Sequence, residues 1–492
     1  MSQVQITRRR VLQMIGTAAV VPLLAACGQQ AAPAPTAAPK TAPTSAPAAA
    51  PAATSAPAAP AAAAKPTEVP PAAKPTAAAQ QAAPAQGSTG VVTLNALVSV
   101  GGSGKALVGG LEKFNEQYKG KYEVKSDMIA IESLLEKEMA QFIAKTPTYD
   151  IVSVNSDWLP SVAHFLEPLD KYLEQDKIDF GKAFGPRVKR VVSFENQVVA
   201  LPVRFGTDIL FYRKDAFDEA GVKVPTTYQE YREAAKKLTV KDASGKVTRF
   251  GTSFKAQSPA WTVGSFGHFL FGSGARFITD DGTEVHPSLN SQLAQDLLEN
   301  IKATIADGST PEVAAWTYDD NVVAFQEGRM AMSDEYSARS LLIADPAKSQ
   351  AAGKMGYSMW MMEQLGPEPP THAGGTWNFA VDKNAKNKEA TWALLKHMTS
   401  APIQKMMAID FANGPTLLET YDDPDYARTD SAAAAIKNVL SGPGWQGYFT
   451  VTALAELQQA AHEDIQLFYL GRQTSKQATE NMSRRLGQIL KS

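Results

Sequence analysis

The stretch that decides the fold reads Val198-Val199-Ala200-Leu201-Pro202-Val203-Arg204-Phe205-Gly206-Thr207-Asp208-Ile209-Leu210-Phe211-Tyr212-Arg213-Lys214. Its two ends, 198–203 and 209–212, are rich in β-branched, aliphatic and aromatic residues, which predicts two buried strand segments. The polar interval from Arg204 to Asp208 separates them. We therefore expect the chain to leave one hydrophobic core and to enter another at this interval.

Helical patterns follow this stretch. Residues 215–220 predict a short helix that ends at Gly221, and Pro225-Thr226-Thr227 begins another. Thr227 and Glu230 have the spacing of a capping box, in which the hydroxyl and the carboxylate satisfy each other's backbone N–H groups.

These residues resemble the lobe-crossing segment of extracellular solute-binding proteins of sugar-type ABC transporters. Leu201-Pro202, the run at 210–217 and the Ala-Gly-x-x-x-Pro pattern at 220–225 carry the likeness, although Arg213 replaces the usual asparagine and Tyr228 the usual tryptophan. The resemblance covers about residues 91–490. It implies an α/β fold of the periplasmic-binding-protein-like type II, with two α/β lobes joined by a multi-crossing hinge. The implied order is lobe 1 over 90–204, lobe 2 over 205–332, lobe 1 again over 333–402, and lobe 2 over 403–492.

The N-terminus has the pattern of an export signal over 1–27. Residues 7–13, with Arg8, Arg9 and Arg10, resemble a twin-arginine signal, and Leu24-Ala25-Ala26-Cys27 resembles a bacterial lipobox. In such signals the cysteine is acylated and becomes the first residue of the mature chain, which nominates Cys27 for lipidation. A signal-peptide cysteine without a role is the alternative. Cys27 is the only cysteine, so the sequence excludes a disulfide framework or a cysteine metal site in the mature body.

Residues 28–89 consist mainly of alanine, proline and threonine. Such a segment has few large apolar side chains to bury, which predicts a disordered linker that holds a folded body away from a membrane. A tail without consequence is the alternative. The remaining 403 residues suffice for two domains of about 200 residues, each with its own core.

The charge of the body argues against a nucleic-acid partner. The first 89 residues hold six Lys or Arg and one Glu, so that 42 basic and 49 acidic residues lie beyond them, a formal charge of −7. After residue 27 the sequence has no run of 18 apolar residues, and we expect no transmembrane helix.

No metal, cofactor or nucleotide site is predicted. The glycine-rich loop 101–105 lacks the P-loop spacing, and its glycines are interpreted as allowing a ligand to approach the backbone. Asp280-Asp281-Gly282 predicts a hairpin turn, without the alternating acids of a calcium loop.

The body begins with alternating strand and helix patterns, which predict parallel strand pairing. Ligands of open α/β sheets bind beyond the carboxyl ends of strands, and the predicted strand 150–154 is followed by Asn155-Ser156-Asp157-Trp158. We therefore nominate Asp157 to accept hydroxyl hydrogen bonds and Trp158 to pack on a ligand face. The alternatives are a plain helix N-cap for Asp157 and a core or edge tryptophan for Trp158.

The resemblance places further candidates in a cleft between the lobes. Trp261 follows the loop 257–260, near a position where the family has a cleft aromatic. Phe-x-x-Gly-x-x-Ala-Met at 325–332 resembles the second crossing, which nominates Glu335 and Tyr336. Gly374-Gly375 leave room for a flat ligand on Trp377, and Trp445 begins a predicted long helix as another platform.

These observations favour a lipid-anchored receptor that binds a sugar and delivers it to an ABC permease at the outer face of a bacterial cell membrane. Sugars present apolar C–H faces and hydroxyl rims, which aromatic rings and polar groups such as Arg204 and Asp208 complement. The predicted protein is a monomer and not an enzyme, with no catalytic residues. Two alternatives remain, a secreted carbohydrate hydrolase with two catalytic carboxylates, and the same receptor fold binding a polyamine or another polar solute.

Overall fold

The computed structural model describes residues 90–100, 102–442, 444–449 and 451–492. The predicted signal, Cys27 and the predicted linker lie outside the described residues. The strands are β1 (Val92–Ser99), β2 (Tyr122–Ile129), β3 (Ile151–Asn155), β4 (Ser193–Phe194), β5 (Gln197–Val198), β6 (Leu201–Arg213), β7 (Val240–Lys241), β8 (Val247–Arg249), β9 (Met332–Tyr336), β10 (Met355–Ser358), β11 (His372–Val381) and β12 (Trp445–Gln446).

The α-helices are α1 (Gly102–Gln117), α2 (Ile131–Ala144), α3 (Leu159–Val162), α4 (Asp170–Gln175), α5 (Phe180–Phe184), α6 (Pro186–Val191), α7 (Lys214–Ala220), α8 (Tyr228–Leu238), α9 (Pro259–Gly272), α10 (Gln292–Gly308), α11 (Tyr318–Gln326), α12 (Ser340–Ile343), α13 (Lys388–Met398), α14 (Ala401–Phe411), α15 (Pro424–Thr429), α16 (Ala433–Ser441), α17 (Leu454–Tyr469) and α18 (Ser475–Ile489). Short 3₁₀ helices cover Ala163–Phe165, Pro287–Asn290, Ser337–Arg339 and Leu418–Asp422.

A mixed sheet of eight strands organises the described residues. Its order is β10-β6-β11-β3-β1-β2, with β9 also paired to β6 and β12 to β11. The predicted parallel pairing is confirmed for β1 with β2 and with β3. In contrast, β11 runs antiparallel to both β3 and β6. The sheet is therefore continuous from the first strands of the body to the crossing stretch.

The crossing stretch is one strand, not two. The prediction of two strand segments is wrong, because β6 is a single strand of 13 residues that includes the polar interval. Its first half pairs with β11 as far as Thr207, and from Asp208 onward it pairs with β9. Since backbone partners are present along both halves, the polar side chains do not interrupt the extended conformation. The neighbour of β6 thus changes at Asp208, the middle of the stretch.

Two separate hydrophobic clusters form the interior. The first is built around β1, β3, α1 and α13, with Phe114, Ile151 and Leu395 fully buried. The second is built around α8, α9, α10, α17 and α18, with Phe266 and Leu298 fully buried. We call these clusters the first core and the second core. Val203, Ile209 and Phe211 of β6 belong to the first core and Leu210 to the second. The chain therefore does not leave the first core at the polar interval as expected, and the second half of β6 contacts both cores.

The last part of the chain returns to the second core later than predicted. The sequence places a crossing near Ser400, with 403–492 in the second lobe. In the structure Met407 of α14, Val439 of α16 and Trp445 all pack in the first core, and Phe449 is the first later residue of the second core. The apolar faces of α14 and α16 are covered by the first core, which keeps this segment there.

Local predictions have mixed outcomes. The loop expected at 101–105 is helical from Gly102, and a Cβ on Gly104 would overlap the carbonyl of Ser99, so Gly104 allows the close approach of α1 to the end of β1. The Thr227 hydroxyl accepts from the Glu230 N–H at 3.1 Å. The carboxylate of Glu230, however, accepts from Thr226, so only half of the capping box forms as predicted.

Among the described residues, no helix is long and apolar enough to cross a membrane. The same residues contain no group of three or more His, Cys, Asp or Glu side chains that could hold a metal ion.

Candidate functional site

A small cavity lies where β6 changes its neighbouring strand. Its volume is about 140 Å³, and it is lined by Asn155, Asp157, Gly206, Asp208, Tyr336, Gly374, Gly375, Trp377, Gly447 and Tyr448. The wall is therefore assembled from the ends of β3 and β9, the middle of β6, the start of β11 and the segment after β12. Residues from distant parts of the sequence meet here because these strands are neighbours in one sheet.

Glycines create the space at this point. Gly206 faces the side chain of Tyr336, and a Cβ on Gly206 would overlap the phenol ring and its hydroxyl. A Cβ on Gly375 would lie 3.1 Å from the hydroxyl oxygen of Ser156. The phenol of Tyr336 can therefore lie against the backbone of β6 only because residue 206 has no side chain.

Asp157 supplies an unpartnered carboxylate to the cavity. Its backbone N–H donates to Oδ1 of Asn155 at 2.8 Å, which fixes the turn after β3. Asp157 is partly exposed as a whole residue, but its Oδ1 is buried and has no hydrogen-bond partner among the described residues. Burial raises the pKa of this carboxyl from 3.8 to about 7. Trp158 occupies the N-cap position of α3, so Asp157 is not the plain N-cap that was the alternative.

Aromatic rings form much of the remaining wall. Trp377 is only 9% exposed and lines the cavity, with Trp158 edge-on to it at 5.2 Å between ring centroids. The guanidinium of Arg204 lies 5.2 Å from the ring centroid of Tyr336, within the range of a cation–π contact. Trp158 and Arg204 thus support the two rings that line the cavity.

Asp208 connects the cavity to a buried histidine. Its Oδ2 lies 3.0 Å from Nε2 of His268, and the hydroxyl of Tyr448 is 2.6 Å from the same nitrogen. Nδ1 of His268 lies 2.9 Å from Oδ2 of Asp334. Burial alone would lower the pKa of His268, but the two carboxylates outweigh burial and raise it to about 9. His268 is therefore an imidazolium between two acids at neutral pH.

A buried lysine completes this charged network. Nζ of Lys255 is 3.1 Å from Oδ1 of Asp334 and 3.7 Å from Oε1 of Glu335, and all three side chains are nearly or fully buried. Burial opposes the ionisation of Asp334, yet Lys255 and His268 hold its pKa well below the usual range. Burial raises the pKa of Glu335 to about 7, although Lys255 opposes the shift, and the amide of Asn321 donates to this carboxyl.

The structure brings together some of the predicted site residues and separates others. Asp157, Asp208, Tyr336 and Trp377 line the cavity. The predicted residues that are not among its lining residues are Trp158, Arg204, Trp261, Glu335 and Trp445. Glu335 is the penultimate residue of β9 and belongs to the charged network.

Two of the predicted aromatic platforms lie elsewhere. Trp445 is fully buried in the first core, where its ring meets Phe205 edge-on at 5.1 Å. It belongs to β12 and does not begin a long helix, since α17 starts only at Leu454. Trp261 lies in the first turn of α9, where its ring meets that of Tyr318 edge-on at 5.7 Å between centroids, and it is not among the residues that line the cavity.

Sequence reasoning missed the charged network. None of His268, Lys255 and Asp334 is among the residues that the sequence nominates. The available signal was that an apolar helix buried on every side contains one histidine, because a buried titratable group requires partners of opposite charge. Tyr448, which lines the cavity, lies three residues after the nominated Trp445 but is not itself nominated by the sequence.

The chain matches known proteins in sequence and in structure. Residues 111–480 match the family model described as bacterial extracellular solute-binding protein. A mannitol-binding protein of Pseudomonas aeruginosa is 22% identical over 266 residues, which are 52% of this chain and 58% of that protein. A Deinococcus radiodurans protein named "Probable ABC transporter-binding protein" is 22% identical over 286 residues, 58% of this chain and 66% of the relative. The chain thus spans less than two thirds of the length of these two relatives.

Solved structures match over more of the chain. A solute-binding protein of Agrobacterium radiobacter K84 in complex with ribitol has a TM-score of 0.69 and 22% identity, covering 82% of this chain and 99% of that one. Maltose-bound MalE3 of T. maritima has a TM-score of 0.68 and 22% identity, covering 80% and 99%. The fold is therefore that of type II periplasmic binding proteins, with two α/β lobes.

Proposed function

Because the chain belongs to the bacterial extracellular solute-binding protein family, we propose that it binds a small carbohydrate or polyol in the cavity beside β6 and delivers it to an ABC permease. The observation that carries this proposal is the buried, unpartnered carboxylate oxygen of Asp157 in a cavity that is also walled by the indole of Trp377. A buried polar atom without a partner is costly, and a ligand hydroxyl would satisfy it.

The chemistry of the wall supports a polyhydroxylated ligand. The Trp377 ring suits the apolar C–H face of a sugar, and Asp157 and Asn155 suit its hydroxyl groups. At about 140 Å³ the cavity is smaller than the roughly 300–1,000 Å³ of sites for drug-sized ligands. This size favours a monosaccharide or a linear polyol over an oligosaccharide, in agreement with the relative named for mannitol and the neighbour in complex with ribitol.

Ligand binding is proposed to close the two lobes by a hinge motion. Lobe 1 is proposed to contain 90–204 and 333–402 and lobe 2 to contain 205–332, although Val322 and Phe325 of α11 pack in the first core. Because α14 to β12 pack in the first core, we move the last crossing from residue 403 to the segment between Trp445 and Phe449. Gly447 and Tyr448 of this segment line the cavity, so the ligand would contact residues at the hinge itself.

We further propose that the mature protein is a monomer without enzymatic activity, held at the extracytoplasmic face of the bacterial membrane by acylated Cys27. Export by the twin-arginine route completes this proposal. Metabolic labelling with a palmitate analogue should mark the wild type and leave Cys27→Ser unlabelled. Equal labelling of both would contradict lipidation at Cys27.

The ligand proposal is tested by calorimetry and thermal shift with ribitol, mannitol, maltose and putrescine. A ligand at 100 times its dissociation constant stabilises the native state by about 2.7 kcal/mol. We expect Trp377→Phe to weaken polyol binding about tenfold, the upper range for an aromatic contact. Trp261→Phe is the matched control, since the indole of Trp261 does not line the cavity. The affinity of this variant for the polyol should stay within twofold of the wild type.

Three outcomes would contradict the proposal. A rise in Tm with putrescine, and with none of the carbohydrates, would show that the ligand is a cation and not a carbohydrate. New reducing ends after incubation with oligosaccharides would show a hydrolase. An equal loss of affinity in both tryptophan variants would show that the ligand does not bind in the cavity beside β6.

A further inference from the structure

A second cavity adjoins the first. Its volume is about 130 Å³, and Gly447 and Tyr448 line both cavities. The hydroxyl of Tyr448 points to the charged network, where it meets His268, while its ring stacks on Phe271 at 5.5 Å. Phe271 lines the second cavity. The two cavities are therefore neighbours on either side of one residue, and the backbone at Gly447 carries no side chain between them.

Three arginines line the second cavity, namely Arg187, Arg190 and Arg276. Arg276 is only 6% exposed, and its guanidinium donates to the carbonyls of Ala275 at 2.8 Å and Pro369 at 2.6 Å. Nε of Arg187 donates to the carbonyl of Trp445 at 2.9 Å. Carbonyl oxygens orient a guanidinium but do not neutralise its charge.

The three arginines share one lining carboxylate, that of Asp280, which acts against burial to raise the pKa of both Arg187 and Arg276, so the positive charge of this cavity is only partly compensated. Among the described residues, Arg187 and Arg276 have no ion pair within 4.0 Å, and Arg190 pairs at 3.3 Å with Asp280, whose side chain is 68% exposed. Burial lowers the pKa of Arg187, and the charge of Arg190 lowers it further. Since an arginine does not lose its proton in proteins, the cost persists as a destabilisation that a bound anion would relieve.

Unused donors remain for such an anion. Each guanidinium has five N–H groups. One N–H group of Arg187 and two of Arg276 donate to backbone carbonyls, and the others have no acceptor among the described residues. Arginine pairs with carboxylate or phosphate through two parallel hydrogen bonds, which the planar fork of its donors favours.

The arginines come from different parts of the fold. Arg187 and Arg190 belong to α6, whose Val188 packs in the first core. Arg276 stands next to Ala275 and Phe277, which pack in the second core. An anion between them would contact both lobes and would favour the closed arrangement.

We propose that the second cavity binds the anionic group of an acidic carbohydrate, a carboxylate or a phosphate, while the hydroxylated part of the same molecule occupies the cavity beside β6. This inference rests on the proposed function and narrows its ligand class from neutral to anionic carbohydrates. A free oxyanion occupies the arginine cavity when the carbohydrate is absent.

The test compares neutral and acidic members of one series. Calorimetry on the full chain uses mannitol, mannonate and mannitol 1-phosphate, then glucose, glucuronate and glucose 6-phosphate, and inorganic phosphate alone. In at least one series the acidic member should bind ten times or more tightly than the neutral one, and raised salt should reduce this ratio. The carboxylate and phosphate arms distinguish the two anion types.

Arg187→Gln and Arg276→Gln should abolish the preference for the acidic member and leave the affinity for the neutral member within twofold. Arg232→Gln is the matched control, because Arg232 pairs with Asp307 on the surface and is not among the residues that line either cavity. The affinity ratio in the wild type decides the question even if Arg276→Gln fails to fold.

The outcomes separate the two proposals. Neutral and acidic members that bind equally would overturn the anion site and keep the proposed function. Phosphate that binds through Arg187, without binding of any carbohydrate, would keep the anion site and overturn the proposed function. Binding of none of these probes, or an acid preference unchanged in both arginine variants, would overturn the anion site.

Discussion

Replacing Asp157 by asparagine should stabilise the ligand-free protein and weaken ligand binding. The carboxyl of Asp157 has a pKa raised by burial from 3.8 to about 7. Between these two values the folded chain keeps a proton that the unfolded chain has lost, so the free energy of unfolding falls as the pH rises. The amide that replaces the carboxyl does not titrate, and the variant would not lose this stability.

The size of the effect follows from the pKa. At about 1.4 kcal/mol for each pH unit between 3.8 and about 7, ionised Asp157 costs on the order of 4 kcal/mol at pH 8. Water that enters the cavity would reduce this figure, which is therefore an upper limit. Between pH 5 and pH 8 the advantage of Asp157→Asn should grow by up to about 3 kcal/mol, or about 6–12 °C in Tm at about 2–4 °C per kcal/mol.

The assay is thermal unfolding of both proteins at pH 5, 6, 7 and 8 without ligand, followed by calorimetry with the polyol that binds the wild type. Affinity should fall about 10- to 100-fold in the variant, because hydrogen bonds to a charged group contribute about 1.5–3 kcal/mol. Asp218→Asn is the control, since Asp218 is exposed on α7. A difference in Tm that does not change with pH, or a variant less stable at pH 8, would refute the argument.

The charged network and the β6 backbone give three further predictions. His268→Gln should lower the free energy of unfolding by about 3–5 kcal/mol in denaturant titrations at pH 6, because Asp208 and Asp334 lose the buried cation between them. Since the pKa of His268 is raised from 6.5 to about 9, its contribution to the free energy of unfolding is complete below pH 6.5 and is lost as the pH rises through 9. The difference in free energy of unfolding between wild type and His268→Gln should therefore decrease over this range. A difference that does not change with pH would contradict a charged His268. Gly206→Ala should lower Tm and displace Tyr336, which a changed tyrosine environment in near-ultraviolet circular dichroism would report; unchanged spectra and Tm would contradict the close contact.

Part of the site follows from the sequence because it depends on local order. The strand at 151–155 and the helix after it are visible in the apolar pattern, and ligands bind at the carboxyl ends of such strands. Asp157 was found in this way. Tyr336 and Trp377 were found through the family resemblance, which supplies the tertiary neighbours that a local pattern does not contain.

The remainder depends on contacts between distant residues. The polar interval in β6 looks like a break because the sequence does not reveal that β9 and β11 satisfy its backbone along the whole length. Trp445 is predicted at the start of a long helix, whereas it lies in β12 and Phe205, far away in sequence, packs edge-on against its ring. The charge of His268 could not be predicted for the same reason, because the two acids that stabilise its protonated form are far from it in sequence.

The two carboxylates of the cavity therefore have different roles although both line it. Asp208 is held by His268 and by the hydroxyls of Tyr318 and Tyr448, at 3.3 and 3.4 Å, so its charge is compensated before any ligand arrives. The Oδ1 of Asp157 has no such partner among the described residues. A ligand hydroxyl gains most from the acceptor that the fold leaves unsatisfied, because desolvation of that acceptor is already complete in the ligand-free protein. Affinity is thus expected to depend chiefly on Asp157, and the rigidity of the wall on Asp208 and the histidine behind it.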